Sequence, residues 1–184
     1  MNIANKVTLV RIVLIPLFVA SIVYYRGDAQ GMLVLPLIIF GVAVITDGLD
    51  GFIARRFNQK TQLGTIIDPL ADKLLILTGF LCIIVSKNIR TAMNLPPWVP
   101  IVVISRDIVI ILGATIIHVI KGSVQVKPSL LGKVTTVFQM SAILAVLVRL
   151  PYTGIIWNLA GLFTILSGID YMTRGSRLLN NHHG

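Results

Sequence analysis

DGLDGFIARRFNQKTQLGTIIDPLAD, Asp47 to Asp72, holds four of the seven acidic residues of this 184-residue chain, and all seven acids are aspartate. Asp47 and Asp50 are three apart and Asp68 and Asp72 four apart, so each pair shares one face of a helix. Two such helices packed side by side would bring four carboxylates to one pocket. An ionised group at the centre of a membrane span costs about 2.5–3.5 kcal/mol, and mutual repulsion adds to that. Raised pKa values or bound cations are the two remedies. All-oxygen ligands of this hardness suit magnesium, manganese or calcium rather than zinc or copper. A pair of such ions would leave positions open for the oxygens of a substrate phosphate. Gly51 and Gly64 let a bulky ligand approach the backbone, Ala54 keeps the same face small, and Arg55 offers a charge-assisted contact to phosphate. Pro69 reads as the first turn of a helix. Charged helix ends neutralised by Arg55, Arg56, Lys60 and Lys73 would explain any one aspartate. They would not explain two helical pairs with Gly, Ala and Arg between them.

Outside this stretch the chain is apolar. It is 55% hydrophobic and 12% charged, which excludes an ordinary soluble domain and implies one membrane domain over 1–184. Six segments can cross a hydrocarbon core as helices: 7–25, 32–54, 68–86, 98–120, 131–149 and 153–172. The expected fold is all-α, a six-helix transmembrane bundle with a short N-terminal interfacial piece, MNIANKV. The N-terminus does not read as a signal peptide, because Arg11 interrupts its apolar run and no small-residue cleavage site follows. The lone cysteine, Cys82, allows no intramolecular disulfide and reads as a packing residue.

A net charge of +9 does not indicate nucleic acid here, because the cations gather at segment ends, where anionic headgroups lie. Six crossings put both termini on one side. Eleven of the sixteen Lys and Arg fall on that side, four on the other and Arg106 within the fourth span. The positive-inside rule makes the richer side cytoplasmic, so the aspartates face the cytoplasm. Arg11 is expected to snorkel to the interface, Trp98 and Trp157 to sit in an interfacial belt, and His118 to lie near a span end.

The stretch resembles the signature of the CDP-alcohol phosphatidyltransferases, D-x2-D-G-x2-A-R-x8-G-x3-D-x3-D. Asp47, Asp50, Gly51, Ala54, Arg55, Gly64, Asp68 and Asp72 fill all eight fixed positions, and NKVTLVRIVLIP extends the likeness to the N-terminus. The resemblance implies an integral, multi-pass enzyme of phospholipid biosynthesis, in a bacterial inner membrane and as a homodimer. It implies that Asp47, Asp50, Asp68 and Asp72 hold two divalent ions, Mg2+ or Mn2+, on the donor diphosphate. Asp72 would be the general base. Gly51, Ala54, Arg55 and Gly64, with Lys60 nearby, would bind the nucleotide of CDP-diacylglycerol. An acceptor hydroxyl would attack the β-phosphorus and CMP would leave, a transfer governed by positioning and charge stabilisation.

The acceptor is read from the later spans. Members that accept glycerol 3-phosphate carry A-R-E and a second Arg in the fourth span and G-K-x-K-T at the start of the fifth. Here the fourth span reads ISRDIVIILGA, with Ala114 in place of the second Arg. The fifth starts Gly132-Lys133-Val134-Thr135-Thr136. Both departures remove positive charge, which favours phosphatidylglycerol, the cardiolipin synthase acceptor, over glycerol 3-phosphate. Arg106 and Lys133 are the expected anion contacts, although Arg106 could instead form a structural pair with Asp107. A divalent-metal transporter would spread its acids through the membrane depth, whereas these cluster at one level. A silent scaffold would have no use for the full signature.

Overall fold

Backbone amides in lipid must bond within their own segment, and each of the six apolar runs has become a helix. The computed structural model describes residues 3–25, 33–56, 62–121 and 129–180, and within these the side chains of 3–9, 47–56, 62–70, 116–118, 120–121 and 177–180 lie outside the description. The helices are α1 (Ile3–Val23), α2 (Val34–Arg56), α3 (Gln62–Val85), α4 (Lys87–Ala92), α5 (Trp98–Lys121), α6 (Leu130–Val148) and α7 (Thr153–Asn180). No strand occurs among the described residues. Segments of α5, α6 and α7 (Trp98–Thr115, Leu130–Val148 and Thr153–Ser176) are long and apolar enough to cross a membrane, while Val10–Val23 and Val34–Thr46 are shorter apolar runs.

The helices differ from the sequence expectation at their ends. α1 begins at Ile3 and runs on without a break, so residues 3–6 are its first turn rather than a separate interfacial piece. α3 begins at Gln62, and Pro69 lies inside it instead of in its first turn. Apolarity marks where lipid begins, but a helix continues wherever its hydrogen-bond ladder can propagate. α7 likewise passes residue 172, where Arg174 Nε donates to Asp170 Oδ1 at 2.8 Å one turn earlier.

Short α4 closes through a left-handed residue. Asn94 has φ 49, its N–H bonds the Thr91 carbonyl, and the Leu95 N–H bonds Arg90 at 3.1 Å, the Schellman pattern. α6 ends the same way at Arg149, φ 59, with Leu150 N–H on the Ala145 carbonyl and Pro151 next to prevent continuation.

Two compact units emerge. The first comprises α1 to α4 with residues 143–151. In it α1 packs against both α2 and α3, burying Arg11, Phe18 and Ile22 along one stripe while Val10, Val13 and Leu17 face outward. Phe18 meets Phe40 of α2 with ring centroids 5.5 Å apart.

The second unit comprises residues 96–142 and 152–184, and there polar side chains are buried among apolar ones such as Val99, Val103 and Ala160. Ile155, Leu162 and Ile169 of α7 point outward, as do Ile101, Ile108 and Leu112 of α5, whereas Thr135, Gln139, Thr164 and Ser167 are buried. Such broad exposed apolar faces belong against lipid. The buried polar groups are satisfied between helices: Gln139 Nε2 donates to Thr164 Oγ1 at 2.9 Å, and the Thr135 hydroxyl reaches the Phe163 carbonyl at 2.9 Å. Trp157 is also buried completely, its indole N–H on the Pro96 carbonyl at 3.1 Å. It anchors the N-terminal end of α7 instead of sitting in an interfacial belt; Trp98 is the partly exposed one.

Close approach of α5 and α7 depends on Gly161. A Cβ there would stand 2.4 Å from the Trp98 ring and 3.0 Å from Val99, whereas one at Gly154 would meet nothing within 4 Å. Gly161→Ala should therefore cost about 1–3 kcal/mol, the usual penalty of overpacking, and lower the thermal midpoint in detergent. Gly154→Ala, measured alongside, should stay within about 0.5 kcal/mol of the parent.

Candidate active site

Asp47, Asp50, Gly51, Ala54 and Arg55 stand in the last turns of α2, and Gly64, Asp68 and Asp72 in the first half of α3. The helical backbone preserves both spacings, three and four, as same-face pairs. Side chains of residues 47–56 and 62–70 lie outside the described residues, as does Lys60 altogether. Asp72 is the member of the set whose side chain is described.

Asp72 is held from another helix. Its Oδ1 accepts a hydrogen bond from Nη1 of Arg11 on α1. The Arg11 side chain is 0% exposed and that of Asp72 31%. Arg11 therefore does not snorkel: it lies on the buried stripe of α1, seven residues before Phe18 and eleven before Ile22. On α3, Ala71, Leu75 and Ile76 are buried around the carboxylate's attachment point. Sequence reading placed Arg11 at the membrane surface and missed this pairing. The available signal was a lone cation in one apolar run and a lone acid pair entering another, because a buried charge needs a partner of opposite sign.

Donor chemistry decides whether a divalent ion suits these residues. Asp47 and Asp50 on α2 and Asp68 and Asp72 on α3 offer carboxylate oxygen alone, on two helices that both pack against α1. That set fits a hard cation such as Mg2+ or Mn2+. Among the described residues no group of three or more metal-ligating side chains is assembled.

The two expected anion contacts lie in the second unit, and the structure does not join them. Arg106 on α5 gives Nη1 to Asp107 at 2.6 Å and Nη2 to Ser167 of α7 at 2.8 Å. A Cβ on Gly132 would stand 3.5 Å from Nη2, and one on Gly168 3.5 Å from Cγ, so both glycines lie at ordinary contact distance from this side chain. Lys133 follows Gly132 on α6 with its side chain exposed, and no hydrogen bond or ion pair links it to Arg106 among the described residues. The pair with Asp107 allowed by the sequence is formed, and Ser167 is a second partner that the sequence did not indicate.

The family model described as CDP-alcohol phosphatidyltransferase matches residues 1–166. A Mycobacterium tuberculosis protein named probable phosphatidylglycerophosphate synthase is 33% identical over 185 residues, spanning 96% of this chain and 82% of its own. Two proteins named CDP-diacylglycerol–glycerol-3-phosphate 3-phosphatidyltransferase are also similar. That of Aquifex aeolicus is 31% identical over 97% of this chain and 98% of its own; that of Bacillus subtilis is 34% identical over 94% of each.

The Arg11–Asp72 contact makes a definite thermodynamic demand. Removing one member of a buried charge pair leaves the other poorly compensated. Arg11→Met and Asp72→Asn should each lower stability, and the double variant should lose less than their sum. Unfolding in detergent should give a coupling of about 0.5–3 kcal/mol; additive losses would mean that the pair does not form.

Proposed function

The chain belongs to the CDP-alcohol phosphatidyltransferase family, and from that premise we propose that it moves a phosphatidyl group from CDP-diacylglycerol to glycerol 3-phosphate, releasing CMP. The observation that carries the acceptor is the likeness, across at least 94% of the chain, to relatives whose names state glycerol 3-phosphate. It favours that acceptor over phosphatidylglycerol, the choice suggested by the cation count in the fourth and fifth spans. Counting cations weighs every missing Lys or Arg equally, whether or not it faces a ligand.

In this reading the six apolar helices all cross the bacterial inner membrane, the aspartates face the cytoplasm, and the enzyme works as a homodimer. Asp47, Asp50, Asp68 and Asp72 hold two divalent ions, which when bound neutralise charge on the donor diphosphate. Gly51, Ala54 and Gly64 leave room for the cytidine nucleotide, and Arg55, with Lys60, provides charge-assisted contacts to its phosphates. A carboxylate oxygen of Asp72 takes the proton from the acceptor hydroxyl as that oxygen bonds to the β-phosphorus of the donor. The bond from this phosphorus to the CMP phosphate oxygen breaks, and CMP departs with the electron pair. Arg106 and Lys133 are the cations proposed for the acceptor phosphate.

Purified enzyme with CDP-diacylglycerol and Mg2+ should release CMP when glycerol 3-phosphate is added, with phosphatidylglycerophosphate identified by mass. Phosphatidylglycerol should give no cardiolipin. The opposite pattern would transfer the assignment to the cardiolipin reaction, and silence with every acceptor would remove it. Chelation with EDTA should abolish CMP release, and either Mg2+ or Mn2+ should restore it.

A further inference from the structure

We propose that Arg11 is a positioning residue that fixes the Asp72 carboxylate in the orientation from which it receives the acceptor's proton. This rests on the role given to Asp72 above.

The pairing is long-range, from α1 to α3, and its cation is wholly enclosed. A carboxylate on a helix retains rotation about its side-chain torsions, and the terminal one is broad. A guanidinium bonded to one oxygen narrows that freedom, because its donors are arranged in a rigid plane. The guanidinium is itself fixed by its helix: Phe18 and Ile22 continue the same buried stripe, and Phe18 packs on Phe40 of α2. The helix that holds Asp72 in place is therefore also seated against the helix carrying Asp47 and Asp50.

A purely structural purpose explains the pair less well. Enclosing an arginine removes it from water, and well-packed apolar residues in place of a buried pair are often as stable or more so. A charge pair adds something an apolar contact cannot, a defined direction for one carboxylate oxygen. Displacement of a reacting group by about 1 Å can lower a rate on the order of 100-fold, so such a direction has catalytic weight.

The test compares Arg11→Met and Arg11→Lys with the parent enzyme, in CMP release per folded molecule, with kcat and KM determined for CDP-diacylglycerol. Arg11→Met should lower kcat by about 100-fold and leave KM for the donor within about twofold. Arg11→Lys keeps the charge without the planar fork and should recover about a tenth of the parent kcat, again with KM unchanged. Loss of yield or thermal midpoint with parental kcat in the folded fraction would overturn the proposal in favour of a structural pair. A raised KM with parental kcat would overturn it in favour of direct donor binding. If Arg11→Met does not fold, Arg11→Lys decides alone, since parental kcat in that variant overturns the positioning role. A parent enzyme that releases no CMP would overturn both this proposal and the functional reading beneath it; an active parent with unaffected variants would overturn this proposal only.

Discussion

A guanidinium enclosed between helices needs an anion, and Arg11 obtains one from Asp72. That single requirement sets how α1 faces α3. A helix rotated by one residue about its axis moves its side chains by about 100°, which would replace Arg11 in the interior with Val10 or Ile12, both outward-facing here. With Arg11 inside, Phe18 follows two turns later and Ile22 one turn beyond, and Phe18 meets Phe40. α1 is thus locked to both of its neighbours by one charge contact and one aromatic contact. The turns of α2 and α3 that carry the aspartates extend from segments clamped in this way.

The second unit encloses hydroxyls and an amide together with Val99, Val103 and Ala160, and turns much of its remaining aliphatic surface outward. In lipid, apolar residues gain nothing by turning inward, so association depends on packing and on bonds between helices. Gln139 with Thr164 and Thr135 with the Phe163 carbonyl supply such bonds, while Phe138 stacks on Phe163 at 4.3 Å. Gly113 leaves space for Tyr171, whose hydroxyl donates to the Ile110 carbonyl at 3.1 Å. Gly161 does the same for Trp98. Small residues on one helix and rings on the other are how α5 and α7 come close.

The helical nature of the six apolar runs was legible because apolar run length is a direct consequence of bilayer thickness and of unsatisfied backbone groups, whereas the short additional helix, α4, lies in what reads as a connector. The ends were less so. Gln62 to Ile67 and residues beyond 172 are helical although the expected spans exclude them, since the helical ladder propagates through residues that lipid does not select. The signature was legible because its spacing lies within single helices, where distance along the chain is distance in space. Contacts between helices were not: Arg11 with Asp72, Arg106 with Ser167 and Trp157 with Pro96 each join residues 61 apart. No local periodicity reports such a pairing. Trp157 and Arg11 were both assigned to the interface by residue type, and both are interior because a partner awaits them there.

The same distinction bears on the acceptor. A tally of cations treats Arg106 as charge available to any anion, yet its guanidinium is already engaged by Asp107 at 2.6 Å and by Ser167. Pairing lowers the burden of keeping an arginine within an apolar helix, and it also sets a threshold for any ligand. A ligand anion at Arg106 has to displace or share the Asp107 carboxylate already bonded to it. A phosphate enters that contest through the bidentate geometry that arginine favours. The missing lysine and second arginine weaken anion binding, and the resident Asp107 weakens it further by occupying the guanidinium. A count of cations in the surrounding spans therefore misses the pairing that decides how much of their charge a ligand meets.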